Sequence, residues 1–480
     1  MSYGIYIGSN LTADNSVLLG GSGDEPSSHW LVVRPRRKHE AGATITVGVT
    51  DRANIPGELS EIPQVPETAK YLAHYYSEYE GFPAPLTNGG LNEHGVAARD
   101  IWSPSRRELI QMTKTPQRGP QYSDLSRIVM ERARSAREAA EIVGALIDKY
   151  GYSTYGGNSH LFADADEGWA LVEMAGSAGL WVAERLGPDD VRLFYPGYIL
   201  AIPHDYAGHP DYMGSPNLIS FAVEQGWYDP AAGEPFDVKK VYGEGEGRQR
   251  TFRGDTSIAD FEAMIRRKAG AVTLQDMMAF VRDPRISLDT TGYGQVAALR
   301  HDGRPELRAL WAAPTASVTA PFVPYFMGVE DIPAEFSRHR YLTTDEAARF
   351  QDPNYAAQEA TQYAFRVFKR LLYHTAERPE RFLPEVVEAL AAFESRMIDE
   401  LEQVTRIAVT LLEAGEDELA RSYLTDYSRT RSLAALDLGN ALVNSIEART
   451  KVLYGIRPPS QQVDGERVHC YFEGATAKSR

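Results

Sequence analysis

The alternation of apolar and polar residues predicts that the first 115 residues are rich in β-strands. Ile5 and Ile7 share one face of an alternating run over residues 2–8. Residues 88–98 are expected to form a turn, a tight loop and then a strand. Further strand-like runs, separated by frequent glycine and proline, lie at 17–19, 29–33 and 44–49.

Helical periodicity begins at residue 123 and dominates the last third of the chain. Apolar residues recur every three or four positions over 123–150, where Ser123 is placed to cap the helix. Strands return at hairpin-like spacing between 159 and 202. From about residue 344 a long apolar stripe predicts helices, and Gly415 is expected to end one of them. Further helices are predicted at 217–225, 258–267 and 274–280, and further strands at 294–300 and 307–312.

This order of elements predicts an α+β fold in which two antiparallel sheets face each other and helices lie outside. We expect a layered core over 2–335, a helical region over 336–457 and a polar tail over 458–480. An N-terminal strand at the centre of such a core would hold residue 2 at a sheet end, which is a rigid place for a catalytic group. The apolar stripe of the C-terminal helices is consistent either with packing on the same domain or with pairing with a second copy of the chain.

Composition narrows the classes of partner. The formal charge of −16 argues against nucleic acid or an anionic membrane surface as the main partner. Cys470 is the only cysteine, so a disulfide within one chain is excluded. The sequence shows no stretch typical of a membrane helix or a signal peptide, and a cytoplasmic location is the default expectation. His204, Asp205 and His209 lie close together but are more typical of a polar loop, so no metal site is predicted.

Ser2 carries the most suggestive chemistry in the chain. If Met1 is removed, Ser2 presents a hydroxyl nucleophile and a free α-amine on the same residue, and the amine can accept the proton of the attacking oxygen. An α-amino group titrates near pH ~8, so much of it is a usable base at neutral pH. Serine is also a common second residue, so position alone does not decide its role.

Four segments between residues 2 and 335 carry motif-like residues in a fixed order. The segments are Ser2, Gly8, residues 12–16, Gly20 and Asp24; then Gly90-Leu91-Asn92-Glu93-His94-Gly95-Val96; then 161–164, Trp169, Glu173 and 181–183; and finally 310–313, Pro324-Tyr325 and Ile332-Pro333. In that order they resemble peptidase family C69, which comprises dipeptidases and their secernin relatives among the N-terminal nucleophile (Ntn) hydrolases.

The resemblance implies an Ntn-hydrolase-like αββα sandwich that hydrolyses small peptides or related amides through an acyl-enzyme, without a cofactor. Ser2 stands where the family has its nucleophile. Asp24 is the residue expected to orient the α-ammonium group, with a turn before Pro26 as the alternative role. Asn92 is the first candidate donor to the oxyanion, with a turn cap beside Gly95 as the alternative.

Three departures from the family pattern keep other interpretations open. The family nucleophile is cysteine, and serine replaces it here. Bacterial members tend to have Arg and Asn shortly before the position of Asp24, where this chain has Gly21 and Ser22, and a family Asn is replaced within 195–198. The alternatives are a non-catalytic secernin-like binding protein, an acyltransferase acting on a specialised amide, and a Cys-to-Ser inactivated form of a family enzyme.

Overall fold

The structure is a computed structural model, and it describes residues 2–23, 29–76, 79–195, 197–244, 256–288, 290–301, 303–338 and 362–455. Within these ranges the fold is α+β, as predicted, with two large antiparallel sheets and helices on their outer faces. Among the same residues, no helix combines the length and the apolar character needed to cross a membrane.

The strands and helices are numbered in chain order. The strands are β1 (Tyr3–Ile7), β2 (Val17–Gly23), β3 (His29–Arg34), β4 (Arg37–Lys38), β5 (Thr44–Val47), β6 (Ser60–Pro63), β7 (Glu67–Thr68), β8 (Tyr71–Tyr76), β9 (Leu86–Asn92), β10 (Ala97–Trp102), β11 (Asn158–Ala163), β12 (Gly168–Glu173), β13 (Trp181–Leu186), β14 (Val191–Phe194), β15 (Ala201–Ile202), β16 (Tyr212–Gly214), β17 (Phe236–Asp237), β18 (Tyr293–Leu299), β19 (Ala309–Ala313) and β20 (Val323–Phe326). The α-helices are α1 (Arg107–Gln111), α2 (Tyr122–Arg132), α3 (Ala136–Tyr150), α4 (Leu218–Glu224), α5 (Val238–Tyr242), α6 (Ile258–Arg266), α7 (Leu274–Val281), α8 (Ala334–Ser337), α9 (Ala364–Ala376), α10 (Pro379–Glu413) and α11 (Asp417–Tyr454).

The two main sheets form the centre of the molecule. The six-stranded sheet has the order β14-β1-β2-β18-β19-β20, and the eight-stranded sheet has the order β16-β13-β12-β11-β10-β9-β8-β3. β1 and β2 pack face to face on β10 and β11, and Ile101 and Leu161 lie in the shared apolar layer. Helices α2 and α3 cover the outer face of the larger sheet, and α6 and α7 cover the smaller one. This is the αββα arrangement that the family resemblance implied.

The C-terminal helices pack on the six-stranded sheet and share its apolar core. α9, α10 and α11 contact one another, and α10 and α11 also contact β20. Leu390, Met397 and Leu424 belong to the same apolar cluster as Tyr3 and Ile5 of β1. The expected tail, 458–480, lies outside the described residues.

Two local predictions were wrong. The helical region 123–150 is two helices, because Ala133 is extended and Ser135 caps α3 by accepting a hydrogen bond from the Glu138 amide at 3.1 Å. Ser123 lies inside α2, whose cap is Gln121. Residues 88–92 belong to strand β9, where a Cβ on Gly90 would stand 1.9 Å from the Leu72 carbonyl oxygen. The adjacent glycines there permit close strand approach rather than a turn.

Candidate active site

Ser2 is held at the end of an interior strand. β1 follows it directly and lies between β14 and β2 in the smaller sheet. Ser2 is buried, with 8% of its surface exposed. The strand that carries Ser2 is fixed by neighbouring strands on both sides, which suits a group that must be held in one geometry.

The same face of β1 points at the larger sheet. A Cβ on Gly168 would stand 2.5 Å from the Tyr6 ring, and Gly168 pairs with Ala163. Two residues earlier, a Cβ on Gly4 would stand 2.7 Å from Leu161 Cδ1. Because side chains on one face recur every second residue, the next step along both strands brings Ser2 towards Ser159.

Ser159 and Ser103 form a buried hydroxyl pair at this end of the interface between the sheets. Their Oγ atoms lie 2.6 Å apart, and Ser159 Oγ donates to the Ile101 carbonyl oxygen at 3.0 Å. Both residues are fully buried. Because Ser159 Oγ donates to Ile101, Ser103 Oγ is the donor of the pair, and a rotation of either hydroxyl would direct its proton to a substrate oxygen. This pair was not predicted from the sequence.

Arg99 places a guanidinium group in the same layer. It extends from β10 with no exposed surface and donates to the Ser22 carbonyl oxygen at 2.5 Å and to the Tyr293 hydroxyl. Ser22 pairs with Tyr3, the residue next to Ser2. The nearest carboxylate among the described residues is that of Asp100, whose Oδ1 lies 3.8 Å from Arg99 Nη1.

Two histidines complete this polar end of the sandwich. The ring of Tyr293 stacks on His74 at a centroid distance of 4.3 Å and lies 5.2 Å from His29. Burial, with the neighbouring charges of His29 and Arg99, holds the pKa of His74 well below its ordinary value. A small cavity of about 10 Å³, which is room for about one water molecule, adjoins them. It is lined by His29, His74, Leu31, Ala312, Pro314, Tyr325 and Phe336.

Asn92 lies elsewhere and is fully occupied. Its amide nitrogen donates to the carbonyl oxygens of Met130 and Ala133 at 3.3 and 2.8 Å, and its oxygen accepts from the amides of His94 and Val96 at 3.0 Å each. It ends β9, whereas the Ser159 end of the interface meets the far end of β10. This geometry supports the alternative role as a turn cap and argues against donation to an oxyanion.

The other residues singled out in the sequence are Asp24 and the polar loop that contains His204. Asp24 lies outside the described residues, so its role at the α-ammonium group stays a prediction. His204 meets the Tyr228 hydroxyl at 2.7 Å in an exposed loop. Over the described part of the chain, histidine, cysteine and carboxylate side chains do not gather in groups of three or more that would hold a metal ion.

A second buried network resembles a catalytic triad but lies in another layer. Ser126 Oγ is 3.1 Å from His160 Nε2, and His160 Nδ1 is 3.0 Å from Glu173 Oε1. Burial lowers the pKa of His160 and the Glu173 carboxylate raises it, with a net upward shift. All three are fully buried between the larger sheet and α2, so the network braces this layer rather than meeting substrate.

The sequence contains one indication that Arg99 belongs to the site, and it was not used in the prediction. In β10, Ala97 and Ile101 are apolar and face the layer between the two sheets. Arg99 lies between them at the same alternate positions, so its side chain is on that buried face as well. A charged residue at an inward position is unusual and is more often functional than accidental. Tyr293 and His74 carried no such signal, because they meet Arg99 only through long-range strand packing.

Comparisons with known proteins agree with the sequence motifs. Residues 85–259 match the sequence profile of peptidase family C69. A protein described as a probable dipeptidase from Salmonella dublin is 28% identical over 254 residues, covering 52% of this chain and 54% of that protein. The chain therefore spans about half the length of this curated relative.

Solved structures give weaker similarity. Two mutant forms of conjugated bile acid hydrolase from Clostridium perfringens are 11% identical, with a TM-score of 0.33, and cover 69% and 68% of this chain and 94% and 93% of theirs. At this TM-score they carry no argument about fold or chemistry. The motifs and the matched profile show that residues 85–259 of this chain are similar to peptidase family C69.

Proposed function

We propose that this protein hydrolyses the amide bond of small peptides, with Ser2 as the N-terminal nucleophile after removal of Met1. The observation that carries the proposal is the position of Ser2. It is buried at the end of an interior strand, in the layer that holds the Ser103–Ser159 hydroxyl pair and the Arg99 guanidinium. The similarity of residues 85–259 to a peptidase family supports amide hydrolysis as the reaction class.

The proposed reaction has two steps, formation of an acyl-enzyme and its hydrolysis. Ser2 Oγ attacks the carbonyl carbon while the α-amine of Ser2 accepts the hydroxyl proton. That proton passes to the nitrogen of the breaking C–N bond, and the amine product leaves an ester on Ser2. Water then attacks the ester, the same amine takes a proton from the water, and the carboxylic acid departs as Ser2 Oγ regains its proton.

Serine makes this site more dependent on its surroundings than cysteine would. A hydroxyl is a weaker nucleophile than a thiol near neutral pH, so the base and the oxyanion donors carry more of the rate. Losing one oxyanion donor commonly costs on the order of 10²–10³ in rate. The Ser103–Ser159 pair lies towards Ser2 and supplies hydroxyl donors, in place of the amide of Asn92.

The proposal is tested with a panel of dipeptides and three proteins. Wild type is expected to release free amino acids, and Ser2→Ala is expected to release none above background. Ser2→Cys should keep or increase the rate, because the thiol is the stronger nucleophile. Cleavage by Ser2→Ala at the wild-type rate would refute Ser2 as nucleophile. Tight binding without turnover in all three would favour the non-catalytic alternative, and ligation to an added amine would favour acyl transfer.

A further inference from the structure

A buried lysine joins the C-terminal helices to the end of the six-stranded sheet that carries Ser2. Lys369 lies on α9 and is 9% exposed, and its Nζ donates to the Thr291 carbonyl oxygen at 3.3 Å. Lysine is rarely buried to this extent, because its charge must be removed from water. The hydrogen bond to Thr291 is therefore a specific feature of how α9 meets the sandwich.

The peptide unit between Thr291 and Gly292 is held at both of its ends. Its carbonyl oxygen accepts from Lys369 and also from Thr315 Oγ1, each at 3.3 Å. Its N–H group, which belongs to Gly292, donates to the Gly23 carbonyl oxygen at 2.9 Å. Because the peptide unit is planar, donors that fix the direction of its carbonyl group also fix the direction of its N–H group. Lys369 thus acts on Gly23 through one rigid plane.

Gly23 is the neighbour of Ser2 in the sheet. Tyr3 pairs with Ser22, and one further step of that antiparallel register sets Gly23 across from Ser2. On its other side Gly23 pairs with Tyr293. The last residue of β2 therefore lies between the nucleophile and the start of β18, at a strand spacing of about 4.8 Å on each side. A shift of Gly23 would be passed directly to the backbone beside Ser2.

We infer that Lys369 is a positioning residue, which fixes the peptide unit between Thr291 and Gly292. That unit in turn holds Gly23, and with it the sheet end at Ser2, in the geometry needed to form the acyl-enzyme. The inference rests on the proposed function and deepens it. It makes the C-terminal helical region, which lies beyond the residues that match the family profile, part of what orients the nucleophile.

The test measures kcat and KM for dipeptide hydrolysis in wild type and two variants. Lys369→Met keeps the length of the side chain but removes the donor. Its kcat should fall at least about tenfold with KM changed less than about threefold, since a misplacement of about 1 Å at a reacting group can lower the rate about 10²-fold. Lys369→Arg retains N–H donors for the Thr291 carbonyl and should recover kcat to within about threefold of wild type.

Lys70→Met is the matched control, because Lys70 makes the same kind of contact at the other end of the sandwich. Its Nζ donates to the Val329 carbonyl oxygen at 2.7 Å, and its own carbonyl accepts from the Glu93 amide at 2.9 Å, beside Asn92. Lys70→Met should lower the urea midpoint as Lys369→Met does but leave kcat within about threefold of wild type. Equal falls of kcat in the two variants would show general destabilisation and overturn the inference.

A second variant covers the case in which Lys369→Met gives too little folded protein. Thr315→Val removes the other donor to the Thr291 carbonyl and leaves Lys369 in place. Its kcat should fall about threefold or more with KM unchanged, because the same peptide unit is then held by one donor. A kcat equal to that of wild type would contradict positioning through this carbonyl.

The outcomes separate this inference from the proposed function. If wild type cleaves dipeptides and Lys369→Met cleaves them at the same kcat, the inference is overturned and amide hydrolysis stands. If wild type cleaves none, hydrolysis is overturned, and hydrogen–deuterium exchange of the Gly292 amide decides the inference. Exchange at least about tenfold faster in Lys369→Met, and unchanged in Lys70→Met, would support it, whereas equal exchange in wild type and Lys369→Met would overturn it.

Discussion

Glu394 and Arg282 form a buried ion pair that joins the C-terminal helices to the helix layer behind the sheet of Ser2. Arg282 Nη1 lies 2.8 Å from Glu394 Oε2, and Nη2 lies 2.5 Å from Oε1, which also accepts from the Phe322 amide at 2.8 Å. The side chains are 0% and 6% exposed. Glu394→Gln removes the charge at nearly constant volume and leaves the guanidinium uncompensated. We expect a loss of about 3–5 kcal/mol in the free energy of unfolding.

The chain supplies a matched control on the same helix. Glu385 makes an equally bidentate contact with Arg449, at 2.6 and 2.9 Å, but the side chains are 51% and 35% exposed. Glu385→Gln should therefore cost less than about 1 kcal/mol. Urea unfolding followed by circular dichroism measures both variants against wild type. Equal losses would refute the reasoning, because geometry and not burial would then set the strength of the pair.

Two further predictions concern Asn92 and Asp124. Asn92→Ala removes hydrogen bonds to two carbonyls and two amides. Urea unfolding should therefore show a loss of about 2–4 kcal/mol in the free energy of unfolding, with kcat changed less than about threefold. A loss of kcat without a loss of stability would instead support the oxyanion role. Burial raises the pKa of Asp124 from 3.8 to about 6. The folded state therefore binds this proton more tightly, and wild type should lose up to about 3 kcal/mol relative to Asp124→Asn as pH rises from about 4 to 6. If the urea midpoints of wild type and Asp124→Asn changed equally across that pH range, the raised pKa of Asp124 would be contradicted.

Local patterns were sufficient for many elements of the fold. Helices α6 and α7 agree with their predicted ranges to within one residue. In the structure Ser257 and Thr273 cap them, and acidic residues three positions later complete both caps. The prediction for 123–150 missed the break at Ala133, since the apolar spacing continues across it. Ser135 starts α3 as its N-cap, which the apolar spacing alone does not indicate.

Contacts between distant segments were not predictable in the same way. β18 pairs with β2, which brings Tyr293 beside Gly23. Nothing in a single sequence specifies that pairing, so the surroundings of Arg99 emerged only from the packing of the two sheets. The hydrogen bonds of Asn92 were hidden for a related reason, because its amide donates to the carbonyls of Met130 and Ala133 at the end of α2, which lie 38 and 41 positions further along the chain.

The central claim is that Ser2 forms an acyl-enzyme through its hydroxyl. The most direct measurement is to react the protein with an activated ester of a dipeptide, quench with acid, and determine the masses of the intact protein and of its first peptide. We predict a chain that begins at Ser2 and carries the acyl mass on that peptide, with no adduct in Ser2→Ala. A chain that retains Met1 and never gains the adduct while the ester is turned over would contradict the account.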